Sequence, residues 1–491
     1  MTKAAYSTTA GQPPARLPGM DTAFLGTGLP LVLGFMLLAV IGGAVVALTE
    51  VNALYLTLAL IGCIFILFDF RIGVVLLVLL LPISRSAMFP HAMMGITGLN
   101  PLNLLLVATL GSYLLQSLTD GSLKRFLPAP LFWLYLVPFV AAGAIGYRHV
   151  PEIATYFLML DVFDLGTRAG YVREFVLKPL MLVVFALILA AAVAKSARVE
   201  KFLVPTIISM WVMCALVIVY VIQSGASLAQ LADSGARAFL TPLGMHANEL
   251  GRLYTVAYAL LLFTWAETKD LRLKAWLLAS MVIVVLALVL TFSRSAFAGF
   301  IVVNALFLLW RLNAKTMIFA AVLVAIVVFA LPGVVYDRAT HGVGEGLNAI
   351  TAGRIDGLWL PLLPEVASKP IFGNGIGSIL WSDAMRSGAG VTVIPTTHPH
   401  SAYLQTVLDM GFVGLILFCA YFFHVWRGFR RLAKDPALSE TMRGFYQGGA
   451  AGLVGMLVVG LVDSSLAPKA EQAFLWLAIG MMYGQSRRPD G

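Results

Sequence analysis

Charge is scarce in this chain. Asp, Glu, Lys and Arg make up 12% of its 491 residues, against 60% hydrophobic residues. That balance excludes an ordinary soluble domain and fits a polytopic membrane protein. Cysteine is scarcer still. Cys63, Cys214 and Cys419 all lie inside apolar runs, so no disulfide framework or cysteine zinc site follows, and they read as small buried apolar residues. No signal peptide is recognisable: the first 28 residues are polar and contain Pro and Gly, with no small-residue cleavage site behind a short apolar core. No internal repeat is evident, which withholds support from a transporter built of tandem halves.

Long hydrophobic runs are abundant. About fourteen apolar spans are expected, near 29–48, 52–69, 72–84, 101–118, 127–146, 176–194, 202–223, 252–267, 275–292, 295–310, 316–332, 403–425, 447–465 and 470–485. The expected fold class is therefore all-α, a polytopic integral membrane protein with a long outer loop before the twelfth span. Placing the N-terminus in the cytoplasm puts Lys124-Arg125, Lys195 to Lys201, Lys269 to Lys274, Arg311 to Lys315, Arg427 to Lys434 and Arg487-Arg488 inside, in line with the positive-inside rule. The domain reading is a cytoplasmic tail (1–28), helices one to eleven (29–332), a long outer loop that carries most of the candidate residues (333–402), helices twelve to fourteen (403–485) and a cytoplasmic tail (486–491). The outer segments 147–175, 224–251 and 333–402 are long enough to hold structure, and long structured loops are usually functional. Tyr156 to Phe163 mixes apolar and charged residues as an interfacial amphipathic helix does.

The outer face is unusual in its cations. They are mostly arginine, from Arg85 and Arg148 through Arg294 to Arg354 and Arg386, with only Lys178, Lys369 and Lys469 beside them. Arginine presents a permanently charged planar fork that matches phosphate oxygens, whereas lysine is a point charge. Selection of lysine to the inside would produce the same asymmetry. Six of the seven histidines also fall outside, His424 being the exception.

Four stretches carry candidate chemistry. Arg294, in Thr291-Phe-Ser-Arg-Ser-Ala-Phe297, interrupts a hydrophobic run from Ala275 to Trp310. An arginine within a membrane helix costs roughly 2.5–3.5 kcal/mol at the helix centre, so it reads as an anion ligand or as a snorkelling turn residue. Arg354, in Thr351-Ala-Gly-Arg-Ile-Asp-Gly-Leu-Trp359, shares a helical face with Gly357 and Leu358 but not with Asp356. It is an anion ligand or half of a local salt bridge. Gly373-Asn-Gly-Ile-Gly377 permits positive φ and close backbone approach. Its N–H groups, at Gly373 and Gly375 above all, cradle a phosphate or simply form a turn. It is not a Walker loop, because no Gly-Lys-Ser/Thr follows.

The fourth stretch, His398-Pro-His-Ser-Ala-Tyr-Leu-Gln-Thr-Val-Leu-Asp-Met-Gly411, stands at the mouth of an apolar helix that Asp409 interrupts. Proline biases His398 toward extended backbone, in which residues two apart face one side. Both rings are then expected to meet one ligand. A zinc site lacks a third ligand at sensible spacing. A general base for a sugar hydroxyl fits a histidine that titrates near neutrality, and a helix-capping or interfacial histidine is the alternative.

The order of these features resembles the O-antigen ligase and polymerase superfamily of bacterial inner membranes. The matching pieces are Ser293-Arg-Ser295, Gly353-Arg354 with Trp359, Pro370-Ile-Phe-Gly-Asn-Gly-Ile-Gly377, and His398 to Gln405 with Gly411-Phe-Val-Gly414. Met245-His-Ala-Asn-Glu249 is similar to the family's Asn-containing outer loop, which adds Asn248. The resemblance is specific from about 245 to 425 and topological elsewhere. It implies transfer of glycan from an undecaprenyl-pyrophosphate carrier on the periplasmic face. Arg294 and Arg354 would bind pyrophosphate, and His400, with His398 as second choice, would assist attack by the acceptor hydroxyl. The family usually has Asn after the second histidine, where this chain has Ser401; serine still donates and accepts a hydrogen bond but reaches less far.

The expected activity is that of an O-antigen or exopolysaccharide polymerase using no cofactor, metal or nucleotide sugar. An O-antigen ligase acting on lipid A-core, a protein O-glycosylating transferase, and a lipid-linked glycan flippase or transporter are the alternatives. The last would call for paired repeats and charges deep in several helices, and neither is evident. Expected partners are the carrier-linked donor, a glycan or lipid A-core acceptor and the bilayer, with a chain-length regulator as a further candidate and no nucleic acid.

Overall fold

The computed structural model describes residues 51–488 apart from short interruptions, chiefly 122–125, 160–165, 233–239 and much of 312–331. It divides into a unit ending at Leu60, described only from Val51, and a compact unit from Ile61 onward. The principal helices are α1 (Val51–Phe68), α2 (Phe70–Leu80), α3 (Pro101–Asp120), α4 (Val137–His149), α5 (Lys178–Ala194), α6 (Leu203–Ser224), α7 (Ala247–Glu267), α8 (Leu271–Leu290), α9 (Arg294–Trp310), α10 (Leu360–Ser368), α11 (Ala402–Leu432), α12 (Glu440–Val459) and α13 (Ala473–Gln485). A two-residue ribbon, β1 (Ala92–Met93) against β2 (Ile96–Thr97), is antiparallel. Every expected span that falls on described residues coincides with a helical run. The first, 29–48, and most of the eleventh, 316–332, lie outside the described residues.

Six helical runs among the described residues are long and apolar enough to cross a membrane: Pro101–Thr119, Ala129–Glu152, Arg168–Ala194, Val199–Ser224, Leu271–Leu290 and Ala402–Leu432. This is a multi-pass membrane protein. Helices α2 and α9 are apolar but shorter. Helix α7 is different in kind. It carries Asn248, Arg252, Tyr254, Thr255 and Tyr258, and its residues from Ala247 to Thr264 are buried apart from Glu249. A helix wrapped by protein keeps polar residues that lipid would reject.

Local chemistry sets the ends. Asp69, Asn100, Asp270, Ser293, Ser401 and Ser439 each accept a backbone N–H at the start of a helix. Three turns are widened, and each ends one residue before a proline. Val137 N donates to Phe132 O, Lys178 N to Arg173 O, and Leu360 N to Ile355 O; Pro138, Pro179 and Pro361 follow. Proline has no N–H and its ring crowds the carbonyl four residues back. A π-helical turn ahead of it relieves that clash. The second widened turn joins Arg168–Tyr171 to α5, so the expected outer segment 147–175 is partly the start of a long helix.

Glycine lets the central helices touch through backbone. Cβ atoms added at Gly444 and Gly448 of α12 would lie 2.6 Å from Phe263 O and Ala259 O of antiparallel α7. At Gly480 and Gly484 of α13 they would lie 2.6 Å from Ala186 O and Ala190 O of parallel α5. Small residues four apart are how membrane helices approach closely, because lipid gives no hydrophobic drive for helix to leave lipid for helix. A second, smaller core joins the outer segments: Val150, Ile153, Phe157, Tyr171, Leu358, Leu362, Leu380 and Trp381 bury one another, and Ala154 N donates to Leu380 O at 2.8 Å.

The packing gives an internal control. At Gly452 the nearest atoms to an added Cβ are 3.4 Å away, ordinary contact, against 2.6 Å at Gly448. Gly448→Val should destabilise the detergent-solubilised protein by about 1–3 kcal/mol, the usual range for overpacking, whereas Gly452→Ala should be near neutral. Thermal unfolding followed by tryptophan fluorescence reads both; equal midpoints for the two variants would mean that α7 and α12 are not in backbone contact.

Candidate active site

Four helix ends meet at one end of the bundle. A Cβ at Gly299, in the second turn of α9, would lie 2.8 Å from Thr255 of α7 and 2.9 Å from Val459 at the end of α12. Gly251 of α7 faces Ser293 and Ala296. Ala402 N, the first of α11, donates to Gly460 O at 2.8 Å. The N-termini of α7, α9 and α11 and the C-terminus of α12 are thus neighbours, and the candidate residues sit on them.

On the α7–α9 side, His246 caps α7 in a reciprocal box: its Nδ1 accepts Asn248 N, and its own N–H donates to Glu249. Asn248 is buried, and its Oδ1 accepts the Ser293 hydroxyl at 2.8 Å. Ser293 caps α9 and stands 3.0 Å from Ser295 Oγ. Arg294 follows as the first residue of α9, and its Nη1 donates to His341 O at 2.9 Å. Asn248 and Arg294 are thereby tied to one cap. One turn along α7, Arg252 pairs with Glu471 at 3.1 Å, with both side chains buried.

On the α11 side, Ala352 and Gly353 have φ of 57° and 78° and turn the chain into Arg354. Arg354 Nη1 donates to Val462 O at 2.5 Å, two residues past the carbonyl that receives Ala402. Asp356 is engaged by Asn348 Nδ2 at 2.7 Å, in keeping with its separation from the Arg354 face. Trp359 Nε1 donates to Pro399 O at 2.7 Å. His398 is held by Thr396, whose hydroxyl donates to His398 O at 3.0 Å. The two histidine rings do meet, edge to face with centroids 4.1 Å apart. Their backbone is not the extended segment expected, because His400 has φ 52°, a left-handed conformation that lets the chain turn into the helix. Ser401 caps α11 through its hydroxyl.

The glycine turn differs from the expected anion cradle. Gly373 N donates to Lys369 O, Asn374 N to Leu408 O, Gly375 N to Asp409 O and Ile376 N to Ala142 O. Gly377 N and Ser378 N both reach Asp409 Oδ1 at 3.1 Å. Six successive amides therefore point at protein acceptors. Gly373 and Gly375 have φ of 69° and 94°, and a Cβ on either would fall within 2.5 Å of backbone in α11 or α4. The turn is a socket for α11, which breaks at Gly411 (φ 66°, ψ −173°).

Asp409 closes that socket. It is buried; besides the two amides, its Oδ1 accepts the Ser378 hydroxyl at 2.8 Å, and its Oδ2 accepts Gln405 Nε2 at 3.1 Å. Sequence reasoning noted Asp409 only as an interruption. The available signal was the pairing of an apolar helix holding Asp and Gly with a glycine-rich turn upstream. Trp359 was noted for position and not for its bond, and the carbonyls of Gly460 and Val462 carry no sequence signal.

The sequence profile described as O-antigen ligase matches residues 279–419. The match, over less than a third of the chain, supports the resemblance to the O-antigen ligase and polymerase superfamily. It contains Arg294, Arg354, Gly373, Gly375, His398, His400 and Ser401 and excludes Asn248. No curated protein matches the chain. The family implies a glycosyltransferase-type membrane enzyme acting on lipid-linked glycan.

The role of Asp409 is separable from charge. Asp409→Asn keeps an oxygen for the three Oδ1 donors, whereas Asp409→Ala leaves buried donors unmet at about 1–3 kcal/mol each. The alanine variant should unfold several degrees below the asparagine variant in detergent. Coincident unfolding curves would remove the carboxylate from the account of the helix break.

Proposed function

We propose that this protein is an inner-membrane glycosyltransferase that takes glycan from an undecaprenyl-pyrophosphate carrier at the periplasmic face, acting as an O-antigen or exopolysaccharide polymerase. The observation that carries the reading is the gathering of Asn248, Arg294, Arg354, His398, His400 and Ser401 onto neighbouring helix ends. All but Asn248 lie within the family match. Phosphoryl recognition needs forked donors and sugar activation needs a base, and this end of the bundle offers both.

The chemistry follows from the parts. A pyrophosphate leaving group is already anionic. Arg294 and Arg354, whose guanidinium groups donate to the backbone carbonyls of His341 and Val462, stabilise the charge that grows as the anomeric C–O bond breaks. His400 accepts the proton of the attacking acceptor hydroxyl. Direct displacement inverts the anomeric carbon. Asn248 and Ser401 offer neutral hydrogen bonds to sugar or phosphate. Gly373 and Gly375 act at one remove, by seating α11.

Polymerase and ligase differ only in acceptor, a second carrier-linked repeat or a lipid A-core sugar. The proposed topology has both termini in the cytoplasm, about fourteen spans and the loop 333–402 outside. Its support is the alternation of basic loops.

Transfer measured with purified donor and acceptor in detergent tests the site. His400→Ala should lose about 10²–10⁴-fold in rate, the usual worth of a positioned base, with donor binding nearly intact. His398→Ala should lose less, and EDTA should leave the rate unchanged. Arg354→Lys and Arg294→Lys should each lose most activity, because the fork is gone although the charge remains. Near-wild-type turnover in His400→Ala would make the histidine structural. A product ladder from carrier-linked repeats alone marks a polymerase; transfer only when lipid A-core is added marks a ligase. For topology, single cysteines at Gly344 and Ala437, in a chain lacking Cys63, Cys214 and Cys419, should label with an impermeant thiol reagent from opposite sides of the membrane. Labelling of both from the periplasm would reject the arrangement.

A further inference from the structure

The widened turn at Ile355–Trp359 does more than absorb a proline. In an α-helix of 3.6 residues per turn, a residue five positions along sits about 140° around the axis. Trp359 would then point away from the side of Arg354. With an i→i+5 turn of about 4.4 residues, the fifth residue comes back to within about 50° of the first, on the same side of the axis. Leu360 N donates to Ile355 O in that pattern, and both Arg354 and Trp359 reach carbonyls of the site: Val462 O at 2.5 Å and Pro399 O at 2.7 Å.

Pro361 has a second effect. In an α-helix residue 361 would donate to Gly357 O, but proline has no N–H to give. Gly357 O instead accepts Ile394 N at 2.9 Å. A Cβ at Gly357 would lie 2.9 Å from the Ile394 side chain, so the absence of a side chain there admits the loop. One turn therefore holds the segment 394–399 twice, at Ile394 and at Pro399. The next residue is His400, at φ 52°. A histidine in the left-handed region persists when its surroundings hold it there.

We propose that the widened turn imposed by Pro361 positions His400, with Trp359 Nε1 on Pro399 O as the contact that transmits it. This rests on the reading of His400 as the base. Trp359 and Pro361 are positioning residues: they fix the backbone that leads into the reacting ring.

Two substitutions separate the device from general packing. Trp359→Phe keeps an aromatic ring and deletes the donor. Pro361→Ala restores an N–H that competes for Gly357 O and favours an ordinary α turn. Each should lower kcat of transfer by about 10- to 100-fold, the scale of a misplaced catalytic group. Trp359→Phe should leave donor KM within about twofold, because the loss falls on the step and not on uniform binding. The double variant should be no slower than the worse single. A readout without activity accompanies this: the rate at which diethyl pyrocarbonate modifies His400, followed by peptide mass spectrometry, should rise in both variants while their unfolding midpoints stay near wild type. Wild-type kcat and unchanged modification in both variants, with His400→Ala inactive, would overturn the inference and leave the proposed function standing. An active His400→Ala would instead overturn the proposed function.

Discussion

Helix α11 breaks at Gly411, and inside an apolar helix a break is permitted only where the released peptide groups find partners. The structure meets that condition with one carboxylate and one glycine turn. Phe412 N and Val413 N turn to Pro370 O and Ile371 O, while Leu408 O and Asp409 O receive Asn374 N and Gly375 N. The Asp409 carboxylate then takes the last two amides of the turn, Gly377 N and Ser378 N. The positions of Ser401, His400 and the rest of the α11 mouth depend on this exchange, since it sets where the N-terminal half of α11 stands.

The same economy appears on a larger scale. Helix α7, which carries Asn248, meets α12 through Gly444 and Gly448, so the spacing of that pair is fixed by backbone contact. Caps then convert axis positions into side-chain positions: Ser293 before Arg294, Ser401 after His400, His246 before Asn248. A cap residue has one acceptor and little reach, so the side chain next to it starts from a defined point.

Much of this was legible in the chain. Apolar runs located the helices because lipid and a protein interior both select for them, and Arg294, Arg354 and the His398–His400 pair stood out because charge and imidazole are rare in such surroundings. What was not legible involves partners remote in sequence. The Gly373–Gly377 turn reads equally as a cradle or a turn until Asp409, 32 residues beyond Gly377, is seen to take its amide. Val462 O lies 108 residues from Arg354, and a carbonyl leaves no mark in a sequence. The left-handed His400 was hidden because the proline before it argues only about His398. Arg252 was counted with the outer arginines because Glu471, its buried partner, belongs to a different span.

That last pair bears on how the protein is made. Arg252 and Glu471 are 219 residues apart, and a ribosome completes one long before the other. During synthesis α7 is made carrying a cation whose partner Glu471 has not yet been translated. The glycine face of α12, which seats α7, also arrives late. The surroundings that bury α7 are therefore complete only once the C-terminal helices have been made. A chain terminated before residue 471 would retain every residue of the family-matched segment and yet lack the carboxylate that meets Arg252 in the folded protein.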